Sequence, residues 1–185
     1  MKAEMKRVLK LFIQRAVNIS RKTSIGKYIH NQILEMAMAQ VVEVSHNGLM
    51  MRFAAPNALC HWRAETFSTK EPETLKWVDS IKEGSVFWDV GANIGLYSVY
   101  AAKRRHCSVW AFEPSVFNIE LLARNLYING LSEQVCILPF ALSDILGANQ
   151  LRMTTTEWGG ALSTFGQNFG WDGELIRQVF DFKTL

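Results

Sequence analysis

A short glycine-containing segment carries residue types that can hold a small polar ligand. Asp89 ends an apolar run, and Gly91 and Gly95 follow it. The carboxylate of Asp89 can accept hydrogen bonds from a ligand amine or hydroxyl, and Gly91 allows a sharp turn and a close approach of the ligand to the backbone. Gly95 leaves room for a helix to pack closely on a strand. Backbone N–H groups at the start of that helix can face a polar or anionic group.

A second acidic residue follows at a spacing typical of nucleotide-binding α/β folds. Glu113 lies 24 residues after Asp89 and ends the next apolar run. Such folds place a carboxylate there, because its two oxygens can accept from two vicinal ribose hydroxyls. The dinucleotide pattern G-x-G-x-x-G is absent, since Asn93 stands where the middle glycine admits a pyrophosphate. The pattern therefore disfavours a nucleotide-dependent oxidoreductase and favours a cofactor with adenosine but no pyrophosphate, such as S-adenosylmethionine.

The elements around these residues predict an α/β fold with a parallel sheet. The predicted order is strand Ser85–Val90, helix Leu96–Ala102, strand Cys107–Phe112, helix Phe117–Asn129 and strand Val135–Leu138. This β-α-β-α-β alternation predicts parallel strands with right-handed crossovers and helices on the faces of the sheet. In such a sheet ligands bind beyond the C-terminal ends of the strands, where Asp89 and Glu113 stand.

The preceding region predicts a helix, a hairpin and a second helix. The predicted elements are helix Gln32–Ala39, strands Val41–Ser45 and Leu49–Phe53 around Asn47-Gly48, and helix Thr74–Ile81 with Pro72 in its first turn. We therefore predict three parts: a helical arm over residues 1–27, a connecting part over 28–84, and a cofactor-binding domain over 85–185. The last part holds about half of a doubly wound sheet, so the first strand would keep an open edge through which the chain could oligomerise.

Basic residues are concentrated at the start of the chain. Residues 1–27 contain eight lysines or arginines and one glutamate, a net charge of +7, whereas the whole chain carries +3. The apolar residues that recur there at helical spacing are Met5, Val8, Leu9, Phe12, Ala16 and Ile19. This pattern predicts an amphipathic helix.

Two interpretations of this arm stay open. It can attach to an anionic membrane surface or to nucleic acid, or it can pack on the main domain with a solvated basic face. We favour the second, because such faces are common on soluble helices. No nucleic-acid partner is expected, and a peripheral contact with the inner face of the membrane through residues 1–27 stays open.

Composition points to an ordinary globular chain. It has 185 residues, of which 49% are hydrophobic and 20% charged, and no apolar run reaches the roughly 18 residues of a spanning helix. Cys60, Cys107 and Cys136 are widely separated and odd in number, which favours a reducing cytoplasm over a disulfide framework. We predict no metal site.

The segment from about Glu71 to Leu185 contains a series of motifs, namely Glu71–Thr74, Phe87–Ser98, Ala111–Pro114, Asn125 with Asn129, and Ala141–Asp144. In these motifs the segment resembles the FkbM family of S-adenosylmethionine-dependent methyltransferases. The run Asp89–Tyr97 favours this family over methyltransferases in general. The resemblance implies a Rossmann-like class I methyltransferase sheet with S-adenosylmethionine as cofactor. It also implies O-methylation of a hydroxyl on a sugar, glycan or secondary metabolite.

The resemblance also implies roles for particular residues. Those implied to line the methionine and ribose side of the cofactor are Asp89, Gly91, Asn93 and Gly95. Glu113 would take the ribose hydroxyls, and Pro114 and Ser115 would flank the adenosine. Those implied to lie beside the adenine are Phe140, Ala141 and Leu142.

The acceptor side of the site is less defined. Trp158 is our candidate for contact with the acceptor, whereas Trp77, Trp88 and Trp110 occupy helix or strand positions and are predicted to be core. His61 and His106 are bases by type only, so the catalytic residue is unknown.

The family pattern continues past Leu185 into a strand with a Lys-Ile-Asp-x-Glu-Gly motif that this chain does not contain. The resemblance therefore implies that the C-terminal part of the domain is lacking. The alternative to an enzyme is a non-catalytic remnant or interaction protein that retains a cofactor-binding half-domain.

Overall fold

A computed structural model describes residues 2–144, 146–170 and 172–184. The outer limits of the predicted arm and of the predicted domain, Met1 and Leu185, lie outside the described residues. The chain forms two compact units, Met1–Gln40 and Val41–Leu185. The predicted boundaries after residues 27 and 84 stay predictions.

The first unit consists of two helices. Helix α1 spans Lys2–Ser20 and helix α2 spans Ser24–Met38, so the predicted helix Gln32–Ala39 is the second half of a longer one. The side chain of Thr23 caps α2 by accepting a hydrogen bond of 3.0 Å from the N–H of Gly26. No helix among the described residues is long and apolar enough to cross a membrane.

The second unit begins with the predicted hairpin. Strands β1 (Val41–His46) and β2 (Leu49–Ala54) pair antiparallel. At the turn Asn47 has φ 48° and Gly48 has φ 76°. A two-residue turn that matches the twist of the strands needs positive φ at both positions, which asparagine and glycine tolerate. The hairpin is confirmed.

Three helices connect the hairpin to the central sheet. They are α3 (Ala58–Glu65), α4 (Phe67–Lys70) and α5 (Pro72–Ser80). The pattern predicted only α5, which buries Leu75 and Val78 and has Pro72 in its first turn. Helix α3 is capped by Asn57, whose side chain accepts a 2.8 Å hydrogen bond from the N–H of Cys60.

The central sheet has the predicted β-α-β-α-β order. Its elements are β3 (Val86–Val90), α6 (Leu96–Arg105), β4 (Ser108–Phe112), α7 (Val116–Asn129) and β5 (Val135–Leu138). The strands are parallel in the order β3-β4-β5, which confirms the α/β class and its Rossmann-like arrangement. Within the described ranges β3 pairs with β4 alone, so its other edge is open.

The two faces of this sheet differ in exposure. Phe87, Val109 and Ala111 are buried in the main core, together with residues of α6, α7 and the hairpin. The opposite face exposes Trp88 of β3 and its register partner Trp110 of β4. The prediction that Trp88 and Trp110 are core is therefore wrong, because side chains alternate between the two faces of a strand and theirs point to the exposed face. Trp77 of α5 is exposed as well.

A second sheet follows that the sequence pattern did not predict. Strands β6 (Asn149–Met153), β7 (Thr164–Phe165) and β8 (Phe180–Thr184) pair antiparallel in the order β7-β6-β8. The segment between β6 and β7, residues 154–163, carries Trp158 and two glycines and extends to the glycine-containing loop after β3. We call this segment the 154–163 loop.

Candidate functional site

The loop after β3 is held in a tight left-handed path. Gly91 and Gly95 have φ of 77° and 82°, and Asn93 between them has φ 53°. Asparagine is one of the few residues that tolerate this region, which is a physical reason for its presence at position 93. The N–H groups of Gly91 and Ala92 both donate to the carbonyl of Phe112 at 2.9 Å. The loop is therefore anchored to the end of the neighbouring strand.

Glu113 extends this anchoring with its side chain. Its Oε2 accepts a 2.7 Å hydrogen bond from the N–H of Asn93, and its Oε1 accepts one of 2.8 Å from the N–H of Ser115. The side chain is buried. Burial raises the pKa of Glu113, although both N–H groups and the Asn118 side chain oppose the shift. These interactions do not use all four lone pairs of the carboxylate, so the group can still accept from a ligand hydroxyl.

Helix α6 holds the side chain of Asp89. Its Oδ2 accepts a 2.5 Å hydrogen bond from the hydroxyl of Ser98, and both residues are buried. Burial raises the pKa of Asp89, and the hydrogen bonds from Ser98 oppose that shift. Ser98 therefore holds the carboxylate in place, and its remaining acceptor capacity is open to a ligand.

Gly95 and Asn125 fix the loop to helix α7. A Cβ on Gly95 would lie 2.3 Å from Cδ1 of Leu122. The close approach that Gly95 allows is thus to a helix, and not to a strand as predicted. Asn125 is fully buried; its Nδ2 donates to the carbonyl of Ile94 and its Oδ1 accepts from the N–H of Ala54, both at 2.7 Å. This one side chain joins the loop, α7 and the hairpin.

The 154–163 loop is hydrogen-bonded to the same place. The carbonyl of Gly160 accepts from Nδ2 of Asn93 at 2.6 Å and from Nδ2 of Asn118 at 3.1 Å. The N–H of Gly159 donates to Oδ1 of Asn118 at 3.0 Å. These contacts bring a segment about 65 residues further along the chain against the glycine-containing loop.

Two cavities lie on either side of this loop. The first, of about 400 Å³, contains Asp89 and is called the Asp89 cavity. The second, of about 270 Å³, contains Glu113 and is called the Glu113 cavity. Gly91 and Asn93 line both. An added Cβ on Gly91 would meet nothing within 4 Å, so the backbone there is open to close approach by a ligand.

Most of the predicted cofactor residues line one of these cavities. Those in the Glu113 cavity are Gly91, Asn93, Glu113, Pro114, Ala141 and Leu142, together with Phe140. Asp89 lines the Asp89 cavity. Ser115 and Gly95 line neither, and act on the site through the N–H bond to Glu113 and through the packing against Leu122. The assignment of these residues to a cofactor stays a prediction.

Trp158 lies apart from both cavities. It is half-buried, packs against the small apolar cluster around Cys60, Ile94 and Leu121, and lines a separate depression beside Phe117. Its carbonyl accepts from Nδ2 of Asn57 at 3.0 Å. Its contact with an acceptor stays a prediction.

The two candidate histidines are exposed and lie outside the cavity linings as well. His61 pairs with Glu65 in the same helix at 3.2 Å, and His106 lies 3.8 Å from Glu83. The structure therefore assigns neither of them a place at the candidate site.

The Asp89 cavity is also lined by charged residues that the sequence pattern did not assign to the site. Arg63 and Lys70 come from α3 and α4, and Glu71 precedes α5. The Nε of Arg63 donates to the carbonyl of Gly159 at 2.7 Å. Burial raises the pKa of Tyr97 well above its usual range, and the Glu71 carboxylate adds to the shift. The one sequence signal was that Glu71 and Tyr97 fall within the motifs that carry the family resemblance.

Two buried polar atoms at this site have no hydrogen-bond partner among the described residues. They are Oδ1 of Asn93 and Oγ of Ser115. Leaving a buried polar atom unpaired costs about 1–3 kcal/mol, so a bound partner at these positions is energetically favoured. Both atoms belong to residues whose backbone N–H groups donate to the Glu113 carboxylate.

The part of the chain that the structure describes contains no cluster of side chains suited to bind a metal ion. No group of three or more His, Cys, Asp or Glu side chains there is placed to hold an ion. The three cysteines are free; Cys60 and Cys107 are buried and Cys136 is exposed. Burial raises the pKa of Cys60 to about 11, partly offset by Arg63.

No family model matches the chain, and no curated protein matches it. Among solved structures, TYW2 of P. horikoshii in complex with MeSAdo aligns with 59% of this chain at 18% identity and a TM-score of 0.43. TYW2 of M. jannaschii in complex with AdoMet aligns with 56% at 21% identity and a TM-score of 0.39. A SAM-dependent methyltransferase of Agrobacterium tumefaciens aligns with 55% at 14% identity and a TM-score of 0.41.

The aligned part covers 39%, 43% and 32% of those three proteins, respectively, so the chain spans less than half of their length.

Proposed function

We propose that this chain binds S-adenosylmethionine across the loop after β3 and acts in methyl transfer. The observation that carries the proposal is Glu113. Its buried carboxylate ends the strand next to the loop, holds the N–H of Asn93 at 2.7 Å, and faces a cavity of about 270 Å³. Adenosine would occupy this cavity, with its ribose hydroxyls on Glu113 and its adenine beside Phe140, Ala141 and Leu142.

The Asp89 cavity has the charges that the amino-acid end of the cofactor requires. Arg63 and Lys70 are cations that can face a carboxylate, and Asp89 and Glu71 are acids that can face an ammonium group. Gly91 separates the two cavities and carries no side chain, so the sulfur-bearing middle of the ligand can pass close to the backbone. The residue types that line the two cavities therefore match the chemical groups of the cofactor.

The type of methyl acceptor is the finer part of the proposal. When bound, S-adenosylmethionine supplies an activated methyl group on a positively charged sulfur. The chain has mainly to align the acceptor with that methyl group, and positioning alone can supply a large share of the rate. Membership of the FkbM family would make the acceptor a hydroxyl of a sugar, glycan or secondary metabolite, and the motif Asp89–Tyr97 supports that membership.

Calorimetric titration with S-adenosylmethionine tests cofactor binding. We expect saturable heat with the parent chain, and a loss of affinity of about tenfold or more for Glu113→Ala and for Asp89→Ala, because each removes a charged hydrogen-bond acceptor. Glu133→Ala is the matched control, since Glu133 is exposed and lines neither cavity. An absence of heat with the folded parent at high ligand concentration would refute the proposal.

A second candidate function is an interaction protein that retains the cofactor-binding half-domain without turnover. The exposed apolar face formed by Trp88, Trp110 and their neighbours on β3 and β4 favours it. The discriminating measurement is methyl transfer from labelled cofactor to a panel of hydroxylated sugars and metabolites. Cofactor binding without transfer to any of them would favour the interaction protein, whereas labelled product would favour the enzyme.

We propose a reducing compartment such as the cytoplasm as the location of the chain. All three cysteines are free, and the buried thiols of Cys60 and Cys107 have no disulfide partner among the described residues. Cell fractionation with thiol trapping tests this proposal: recovery of the chain with a disulfide in an oxidising compartment would contradict it.

A further inference from the structure

The first unit carries an amphipathic helix with an exposed apolar stripe. In α1, Met5, Phe12 and Ile19 are seven residues apart, so they lie along one side of the helix. Their exposed fractions are 65%, 70% and 69%. Val8 and Leu9 widen the stripe and are also exposed. Exposed apolar side chains in a contiguous row mark an interaction surface more often than single ones do.

Basic side chains lie on both sides of this stripe. Lys6 and Lys10 lie along one border of the stripe, Arg15 lies along the other, and all three are exposed. The helix contains five basic residues and one acidic residue, a net charge of +4. Long basic side chains beside an apolar stripe can place their charges in the headgroup layer of a bilayer while the stripe enters the acyl region.

We propose that α1 lies in the plane of an anionic lipid surface and attaches the chain to it. The stripe of Met5, Phe12 and Ile19 faces the acyl chains, and the lysines and arginines face acidic headgroups. The helix does not span, since none of the described helices is long and apolar enough. This placement is independent of the proposed methyl transfer, because α1 belongs to the first unit and both cavities belong to the second.

The basic charge and the apolar stripe of α1 together favour a lipid surface over a second copy of α1 or an RNA. A second copy of α1 would cover the stripe but would bring two helices of charge +4 together, and like charges repel. An RNA would pair with the basic side chains but would leave the apolar stripe in water. An anionic bilayer satisfies both, because acidic headgroups and acyl chains lie within one helix diameter of each other.

Vesicle co-sedimentation of the full chain tests the proposal. The probes are vesicles of phosphatidylcholine alone and of an equal mixture of phosphatidylcholine and phosphatidylglycerol, each at low and high salt. We expect sedimentation with the mixed vesicles, weaker sedimentation at high salt, and little with phosphatidylcholine alone. Lys6→Gln should weaken binding to the mixed vesicles about fivefold. Each basic residue near an anionic surface contributes about 1 kcal/mol of binding free energy, which corresponds to that factor.

Leu9 and Leu11 provide a matched pair of variants. Both are 55% exposed, but Leu9 lies on the stripe whereas Leu11 lies on the polar side, in line with Glu4 and Asn18. Leu9→Ser should weaken vesicle binding about tenfold, because a leucine leaves the acyl region, and Leu11→Ser should change it less than twofold. Both changes lower helix propensity equally, and circular dichroism checks that both variants stay folded.

Four results would overturn the proposal. One is the absence of sedimentation of the folded parent with the mixed vesicles. Another is an equal loss in both leucine variants. The third is self-association: a parent that sediments as a dimer without lipid, and that Leu9→Ser converts to a monomer, would show that a second copy covers the stripe. Binding to a homopolymeric RNA in the same buffer, unaffected by Leu9→Ser, together with no vesicle binding, would assign the basic face to nucleic acid.

Discussion

The N–H of Asn93 donates a 2.7 Å hydrogen bond to Oε2 of Glu113. One carboxylate thus holds the turn after β3 in place and presents its remaining lone pairs to the Glu113 cavity. The loop that a ligand would touch and the acid that would hold its ribose are therefore one hydrogen-bonded unit. Any change at Glu113 acts on the ligand contact and on the loop conformation together.

The ionisation of Glu113 predicts a pH dependence of cofactor affinity. Ribose hydroxyls donate to the ionised form, and burial raises the pKa of Glu113 above its ordinary value of 4.5. As the pH falls through that raised pKa the acid gains a proton and loses acceptor capacity, so affinity should decline at a pH above 4.5. Glu113→Gln cannot titrate, so its weaker affinity should decline less steeply over the same range, and the remaining slope should come from Asp89, whose pKa burial also raises. Calorimetry across the pH series measures both, and equal slopes for parent and variant would contradict the assignment.

We expect alanine to destabilise the chain more at Gly95 than at Gly91. Both have positive φ, so each alanine should cost about 1–2 kcal/mol of backbone strain. At Gly95 the new Cβ also meets Leu122 at 2.3 Å, which adds about 1–3 kcal/mol of overpacking, whereas at Gly91 it meets nothing. Urea unfolding should rank Gly95→Ala as the less stable variant. The double change Gly95→Ala with Leu122→Ala should show non-additive recovery, and strict additivity would argue against this contact as the cause.

The sequence predicted those parts of the molecule whose local pattern decides their structure. The three parallel strands and α6 and α7 follow from short apolar runs that alternate with helical ones. The tryptophans were misassigned because parallel strands are usually covered on both faces, whereas the face with Trp88 and Trp110 is exposed among the described residues.

Long-range pairings could not be predicted. Arg63 meets the carbonyl of Gly159 across 96 residues, and no periodicity encodes such a contact. The strand Asn149–Met153 was missed because its polar, short sequence lacks a clear strand pattern. The position of Asp89, Gly91 and Glu113 at one edge of the sheet was predictable, because the ends of adjacent parallel strands meet there.

Asn125 should contribute much more to stability than Asn129, one helical turn further along α7. Asn125 is fully buried and bonds the backbone of Ile94 and Ala54, so alanine there leaves two buried groups unpaired. We expect Asn125→Ala to lower the free energy of unfolding by about 2–4 kcal/mol. Asn129 makes a similar pair of bonds to the backbone of Arg52, but Asn129 is only half-buried and Arg52 is exposed, and Asn129→Ala should cost about 1 kcal/mol. Chemical denaturation measures both; equal losses would mean that burial is not the deciding factor.

We expect the fold to lose stability in acid because of the contacts that Asp79 makes. Its carboxylate accepts from the Tyr100 hydroxyl at 2.7 Å, from Nε of Arg104 at 2.9 Å and from Nδ2 of Asn47 at 3.0 Å. Burial opposes ionisation, but these donors outweigh it and hold the pKa of Asp79 below its ordinary value of 3.8. A depressed carboxyl pKa stabilises the fold above 3.8, and that stabilisation is lost as the pH falls through the folded value.

The comparison of the parent with Asp79→Asn isolates this effect. At neutral pH the parent should be more stable by about 1 kcal/mol or more, because charged hydrogen bonds are replaced by neutral ones. The difference should shrink as the pH falls below 3.8. Urea unfolding of both chains over a pH series measures it. A difference that does not change with pH would show that the Asp79 charge does not contribute to stability.

The alkylation of Cys136 can show whether the exposed face of the central sheet is covered in solution. It is the register partner of Trp110, and its thiol is exposed, whereas Cys60 and Cys107 are buried with raised pKa values. Alkylation requires an accessible thiolate. Iodoacetamide at about pH 8 should therefore modify Cys136 in the folded chain, and the two buried thiols should react only after unfolding. Peptide mass spectrometry identifies the modified site. Protection of Cys136 in the folded chain to the level of Cys107 would mean that this face is covered in solution, and dilution of the sample would then distinguish self-association, which weakens with dilution, from cover supplied by the same chain, which does not.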